Sequence, residues 1–310
     1  MPFAVKAKRS RSGLSERRDN LTAYIMVIPT VLLFLMFCIY PIVYILVMSF
    51  YEYDGMTEMK WIGAYNYLRV MRDTSWWNSV WNTVQLGILI PLVQIPFALL
   101  YAVLLNGQLK GQNFFRTFLF LPSITSTAIM GIIFFFMFSS YNGIVNSVLM
   151  SLNVLQSPVE WLGKEWTAKF VIIIFSAWAN IGFYMVLFLA GLQKIPGDVY
   201  ESAAIDGANG FQTLTKITIP MLGGMFRTII MLSILNAMKL FDTVKVLTGG
   251  GPGNKTEVMT MFIYRYYFEP GSGKIQQGYA FAVAMVGLVI TGIIAVLYLY
   301  ISDKTASDGE

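Results

Sequence analysis

The 310-residue chain contains no histidine and one cysteine, Cys38. The first absence removes the general base of a Ser-His-Asp triad, a His-ligated zinc and a His-held haem. The second leaves neither a CxxC redox pair nor an intrachain disulfide. Charge is scarce too: Asp, Glu, Lys and Arg make up 13% of the residues, against 56% hydrophobic ones. With a mean hydropathy of +0.61, the chain has too few polar groups to cover a water-soluble surface. It also lacks an internal repeat, a low-complexity tract and any polar block long enough to fold alone. One membrane domain remains. The 15% of aromatic residues fits it, because Trp and Tyr favour the boundary between hydrocarbon and water. Met137, Met150 and most other methionines read as packing filler.

Six apolar stretches reach the roughly 20 residues that a helix needs to cross a bilayer core. They are 22–50, 79–105, 115–139, 168–192, 220–241 and 279–302. The predicted fold is all-α integral membrane: a tail over 1–20, a six-span domain over 21–302 and a short tail over 303–310. The first stretch carries Pro29 and Pro41 and exceeds the needed length, so a bend or an interfacial start is expected. It is also too long for a signal-peptide core and no small-x-small site follows, which predicts a retained anchor. Lys6, Lys8, Arg9, Arg11, Arg17 and Arg18 precede it. Beside a span, such a tail reads as a topology signal, so no nucleic-acid partner is expected. An even number of spans then puts both termini in the cytoplasm. Loops 106–114 and 193–219 become cytoplasmic, and 51–78, 140–167 and 242–278 external. Trp61, Trp76, Trp77, Trp81, Trp161 and Trp166 are expected to be interfacial anchors.

Between the fourth and fifth spans runs DVYESAAIDGANGFQTLTKITIP, Asp198 to Pro220. Asp198 and Glu201 have the spacing of a capping box, predicting a short helix from Val199 to about Asp206. Gly207 is placed to end it in a left-handed turn, and Asn209-Gly210 reinforces the stop. A second piece through Phe211 and Leu214 leads to Pro220, expected to open the fifth span where its missing N–H is harmless. Capping does not explain why Ser202, Ala203, Ala204, Gly207 and Ala208 crowd together. Small side chains let another backbone come close, so this helix suits a groove on a separate protein.

Glu201-Ser202-Ala203, with Gly207 six positions after the acid and Ile217-Thr218-Ile219-Pro220 closing the run, resembles the cytoplasmic EAA loop of permease subunits from binding-protein-dependent ABC importers. The fuller Tyr200–Ala208 run is similar to the carbohydrate branch, of maltose and glycerol-phosphate type, and so is Phe241-Asp242-Thr243-Val244 through Leu247-Thr248-Gly249-Gly250-Gly251-Pro252. Ser202 stands where the family usually has a second Ala, and Ile219 where it has Leu. The likeness covers roughly residues 79–302. It implies a bacterial inner-membrane subunit working with a second homologous permease, a cytoplasmic ATPase dimer and an extracellular sugar-binding protein. ATP and Mg would sit on the ATPase, with no cofactor on this chain. Glu201, Ser202, Ala203, Asp206, Gly207 and Pro220 would form the coupling segment that receives the ATPase's motion. Glu201 and Asp206 either cap the helix or also pair with basic ATPase residues.

The stretch GGGPGNKT, Gly249–Thr256, imitates a phosphate-binding P-loop. Asn254 occupies the position of the glycine that must precede the lysine, and no strand leads in, so a Gly/Pro turn is expected. For the substrate pathway, polar residues inside spans are the candidates, because they face a cavity or a partner. They include Asn82, Gln85, Gln94, Asn180, Asn236, Lys239 and Asp242, with Trp178 and Tyr184 as aromatic planes near Asn180. Asn236 and Lys239 share a helix face. Lys239 either neutralises Asp242 or meets the cargo. The family commonly has a neutral amide at Lys239, which implies an acidic group on the cargo here. Two other classes compete. An ion-driven carrier needs a mid-membrane ion site and usually an internal repeat. A membrane enzyme needs clustered acids or histidine.

Overall fold

The computed structural model describes residues 13–56, 58–107, 110–269 and 275–307. Lys6, Lys8, Arg9 and Arg11 of the basic tail lie outside them. Helix α1, Gly13–Phe34, runs through a π turn at Leu35–Ile39 into α2, Tyr40–Met48. The turn widens just before Pro41. Proline lacks the N–H of the i→i−4 ladder and its ring presses on the carbonyl four residues back; a wider turn relieves both. No described side chain of this span is buried, and only α2 leans on the bundle, where Tyr44 meets Phe281 of the last helix edge-on at 6.1 Å; the remaining apolar surface suits lipid or a partner subunit.

A small hairpin, β1 (Tyr51–Glu52) against β2 (Lys60–Trp61), leads to α3, Tyr65–Arg72. The long α4, Thr74–Leu104, follows, with the Asp73 carboxylate accepting the Ser75 and Trp76 amides at its start. The third stretch is not a straight span. It forms α5, Gln112–Ile124, and α6, Thr127–Met137, bent by 95° at a short break. Pro122 removes one ladder donor, and the Ser123 and Thr125 hydroxyls donate back to the Phe120 and Leu121 carbonyls. Hydropathy alone cannot reveal such a bend, because both halves are apolar. Then come α7, Ile144–Ser151, and α8, Glu165–Leu192.

Helix α9, Gly197–Ile205, and α10, Gly210–Thr213, fill the connection to the fifth stretch. A second π turn, Leu214–Thr218, passes into α11, Ile219–Met221, and widens before Pro220 as the first does before Pro41. Helix α12, Gly223–Met238, starts after a 73° bend. Pro220 therefore lies in the arm before the bend and does not open the fifth span. The chain ends with α13, Asp242–Leu247, α14, Met259–Phe268, and α15, Gln277–Ser307. Among the described residues, four helical runs are long and apolar enough to cross a membrane, and the bent pairs raise the number to six if each is one span.

Helices α4 and α8 form the spine of the bundle. Leu86, Ile90, Ile172 and Phe175 are buried together at one level, and Ile95, Tyr184, Phe188 and Ile229 at another. A third cluster joins α3, α14 and α15 through Val70, Phe262 and Val283. Trp76 is fully buried there, its ring 5.5 Å from that of Phe262, so it is core and not an interfacial anchor.

Candidate translocation pathway and coupling segment

The predicted helix around Glu201 starts two residues earlier than its acid spacing implies. Its N-cap is Pro196, without a side-chain cap. Asp198 is already inside the first turn, where it favours the positive end of the helix dipole. The capping box sits instead at Asn209 and Gln212, whose side chains each take the other's backbone N–H at 2.9 Å. At the other end of α9, Gly207 adopts φ +76°. The Ala208 amide donates to the Ala203 carbonyl at 2.9 Å and the Gly207 amide to Ala204 at 3.1 Å. These are the two bonds of a Schellman ending. The result is a short, firmly closed helix. Ala203 is buried, while Glu201, Ser202, Asp206 and Pro220 are exposed. Two apolar side chains also project from this region, Ile205 at 86% exposure and Phe211 at 74%, figures that a surface never covered by a partner would not favour. Tyr200 braces α9 against the π turn through its hydroxyl contact with Thr218 Oγ1 at 3.4 Å.

The predicted pathway residues separate into different roles. Asn180 turns its amide back onto its own helix, donating to the Ser176 carbonyl at 2.9 Å. Tyr184 is fully buried, with its hydroxyl accepting from Asn236 Nδ2 at 3.0 Å, and Trp178 packs against Phe134 and Phe175. They therefore form no open aromatic cradle around Asn180. Gln94 donates to Ser233 inside the bundle, so α4, α8 and α12 meet through a neutral polar cluster of Gln94, Ser233, Asn236 and Tyr184. Gln85 is occupied by Lys169, whose Nζ donates to Gln85 Oε1 at 2.7 Å and to Glu165 Oε1 at 2.9 Å. Asn236, Lys239 and Asp242 remain exposed, with Lys239 capping the C-terminus of α12. Among the described residues no ion pair joins Lys239 to Asp242.

Residues 94–307 match the family model described as the binding-protein-dependent transport system inner membrane component. The chain belongs to that family. The lactose transport system permease protein LacF of Rhizobium radiobacter is 34% identical over 294 residues, 94% of this chain and 96% of that protein. The arabinooligosaccharides transport system permease protein AraP of Bacillus subtilis (strain 168) is 32% identical over 290 residues, 92% of this chain and 90% of that protein. A bacterial ABC transporter involved in the import of the acidic polysaccharide alginate shares the fold: its TM-score is 0.80 at 22% identity, covering 95% of this chain and 99% of that one.

Two charged residues of this permease escaped the sequence reading. Lys169 lies one residue into the fourth apolar stretch and is 1% exposed, and only its i,i+4 spacing from Glu165 signals the pair that permits burial. Glu257 lies in a turn, is 2% exposed, and accepts from Ser79 Oγ at 3.3 Å and from the Arg265 guanidinium at 3.1 Å. Its backbone carbonyl accepts from Asn82 Nδ2 at 3.1 Å, so the turn is fastened to α4. Burial pushes the Glu257 carboxyl above the usual carboxylate range, against the lowering effect of Arg265 and the Ser79 hydrogen bond. A raised carboxyl binds its proton more tightly in the folded state. Its contribution to stability is therefore greatest when protonated and declines as pH rises from the ordinary carboxylate value through the folded one. Thermal unfolding in detergent between about pH 4 and 7 should show this component in the wild type and not in Glu257→Gln. Equal pH profiles for the two proteins would contradict it.

Proposed function

We propose that this permease forms the translocation pathway for a sugar or oligosaccharide delivered by an extracellular binding protein. In this reading it works beside a second homologous permease in the bacterial inner membrane. A cytoplasmic ATPase dimer, carrying ATP and Mg, engages the segment from α9 to α11, which puts both chain termini in the cytoplasm. This chain binds no cofactor and hydrolyses nothing. The single observation that carries the proposal is the closed α9 helix, with small, acidic and apolar side chains exposed together, joined to α12 by a 73° bend. The names of relatives that transport lactose and arabinooligosaccharides support the sugar class.

The mechanical argument is short. A push on α9 is not absorbed locally, because its end is fixed by two backbone bonds and Tyr200 braces it. It passes through α11 to Leu222, which is 2% exposed and packed beside Gly191 of α8. From there α12 extends about 24 Å, at 1.5 Å per residue, to Asn236 and Lys239. Movement of the arm thus reaches the candidate cargo residues along one rigid element.

Lys239 bears on cargo choice. Lys239 is exposed at the end of α12 and has no close ion-pair partner in Asp242, so an acidic cargo would supply its countercharge. Lys239→Gln is expected to lower uptake of uronic-type sugars by about tenfold while sparing neutral ones, since a hydrogen bond to a charged group contributes about 1.5–3 kcal/mol. Unchanged selectivity would end the idea.

The function itself is tested in proteoliposomes with lactose, arabinotriose and a short oligouronate as cargoes. Uptake should require the second permease, the binding protein, the ATPase and ATP together. Uptake by this chain alone under a proton or sodium gradient would favour the ion-coupled carrier instead.

A further inference from the structure

At the end of the bundle that the proposed orientation makes external, a cavity of about 170 Å³ opens between the start of α4, the start of α8 and the turn after α13. Ser75, Asn78, Trp81, Asn82, Glu165 and Lys255 line it. We infer that this cavity is a carbohydrate subsite at the mouth of the pathway, which seats one pyranose ring against Trp81 as cargo leaves the binding protein. The inference rests on the importer reading above and adds a ligand site to it.

The chemistry matches one sugar ring. The Trp81 indole is 61% exposed although it lies beside polar side chains. The C–H face of a pyranose is weakly electropositive and apolar, and it stacks on the negative face of an indole. Sugar hydroxyls need groups that both donate and accept, which amides and hydroxyls provide. Ser75, Asn78, Asn82 and Gln85 recur at helical spacing, so they line one face of α4 from the mouth inward. Among the described residues, nothing hydrogen-bonds to the Asn78 side chain or to Ser75 Oγ. The volume is about half the lower limit of clefts that enclose a whole drug-sized ligand, which suits a single unit of a chain.

The walls are fixed before any ligand arrives. Asn82 is held by the Glu257 carbonyl at 3.1 Å. The Gly-rich turn closes on itself through Thr248 Oγ1 and Thr256 Oγ1 at 2.8 Å, and Thr256 Oγ1 donates to the Gly251 carbonyl at 2.7 Å. Buried Lys169 holds one oxygen of Glu165 and the Gln85 amide oxygen together beneath the cleft, while Lys255 lies 3.9 Å from the other Glu165 oxygen. A pre-shaped site of this kind binds without first ordering loops. The competing role is that Trp81 only anchors the helix at the interface, as exposed tryptophans near span ends do. That role makes no demand on Asn78.

The test is saturation-transfer NMR on the assembled importer in nanodiscs, without binding protein, using lactose and arabinotriose as probes. Ring protons of at least one sugar should receive saturation from the wild type. Trp81→Ala and Asn78→Ala should each reduce it about fivefold, the range of an aromatic stacking contact or a single hydrogen bond. Trp61→Ala, which removes an equally exposed indole outside the cleft, should leave the signal in place. No transfer to either sugar, or a signal unchanged in Trp81→Ala or Asn78→Ala, overturns the subsite. ATP-driven uptake by the same preparation, with binding protein added, is read separately. If the wild type takes up no sugar, the importer reading fails, whereas the NMR result judges the cleft by itself.

Discussion

Gly207→Val is expected to reduce ATP-driven uptake by about tenfold or more while leaving membrane insertion and the purified complex's elution profile unchanged. Gly207 has φ +76° and ends α9. An L-residue in that region loses about 1–2 kcal/mol, and a β-branched one more, so the chain would leave the Schellman turn and release the helix end. The rest of the fold should not notice, because a Cβ at Gly207 would meet no atom of this chain within 4 Å. The open space around it lies on the surface assigned to the ATPase. Gly207→Asn separates the two effects: asparagine tolerates the left-handed conformation but still protrudes. If loss of the turn is the cause, Gly207→Asn retains much of the uptake. If protrusion is the cause, it fails like valine. Full uptake by Gly207→Val would remove the lever from the account.

The second large effect is on stability. Gly182→Ala should lower the stability of the purified permease by about 3 kcal/mol, and Gly182→Val should abolish folded yield. A Cβ at Gly182 would stand 2.0 Å from the Leu119 carbonyl oxygen and 2.7 Å from Phe120 Cα. Those are backbone atoms of α5 and cannot rotate away as a side-chain tip would. To admit even one methyl, α5 must withdraw from α8 and carry the 95° bend with it. Glycine contacts of this type let helices approach closely where lipid supplies no hydrophobic drive for association. Gly197 provides the contrast, since a Cβ there meets nothing within 4 Å. Gly197→Ala should unfold at the wild-type temperature, and an equal loss in both variants would show that the α5–α8 contact is not responsible.

The sequence exposed the solvent of each segment far better than its direction. An apolar run reports hydrocarbon or a protein interior whichever way the helix points, so the stretches near 79–105 and 168–192 became the long α4 and α8. The same signal could not see that Pro122 with Ser123 and Thr125 would fold the third stretch back, or that the fifth would start at Gly223 after the Pro220 arm. Local backbone chemistry was legible where only one residue type fits, as at Gly207. It misled where two starts competed: Asp198 and Glu201 have the right spacing, but Pro196 begins the helix first and the box forms at Asn209.

Polar side chains in the bundle were the least legible, because their meaning depends on partners far away in the chain. Gln85 looked available until Lys169, 84 positions later, occupied its oxygen. Asn180 looked inward but spends its amide on Ser176, and Tyr184 looked like a sugar platform but is sealed in the core by Phe188 and its neighbours. Lys239 and Asp242 have the spacing of a pair without the contact. Spacing along one helix limits which groups can meet; packing between helices decides which do.

The central claim is that the α9–α11 segment is the cytoplasmic seat of the ATPase. Its most direct measurement labels Ser202→Cys, in a Cys38→Ala background, with a membrane-impermeant maleimide. The account predicts labelling in inside-out vesicles, no labelling in right-side-out vesicles, and protection when the ATPase is bound. Labelling from the external face, or reactivity indifferent to the ATPase, would contradict it.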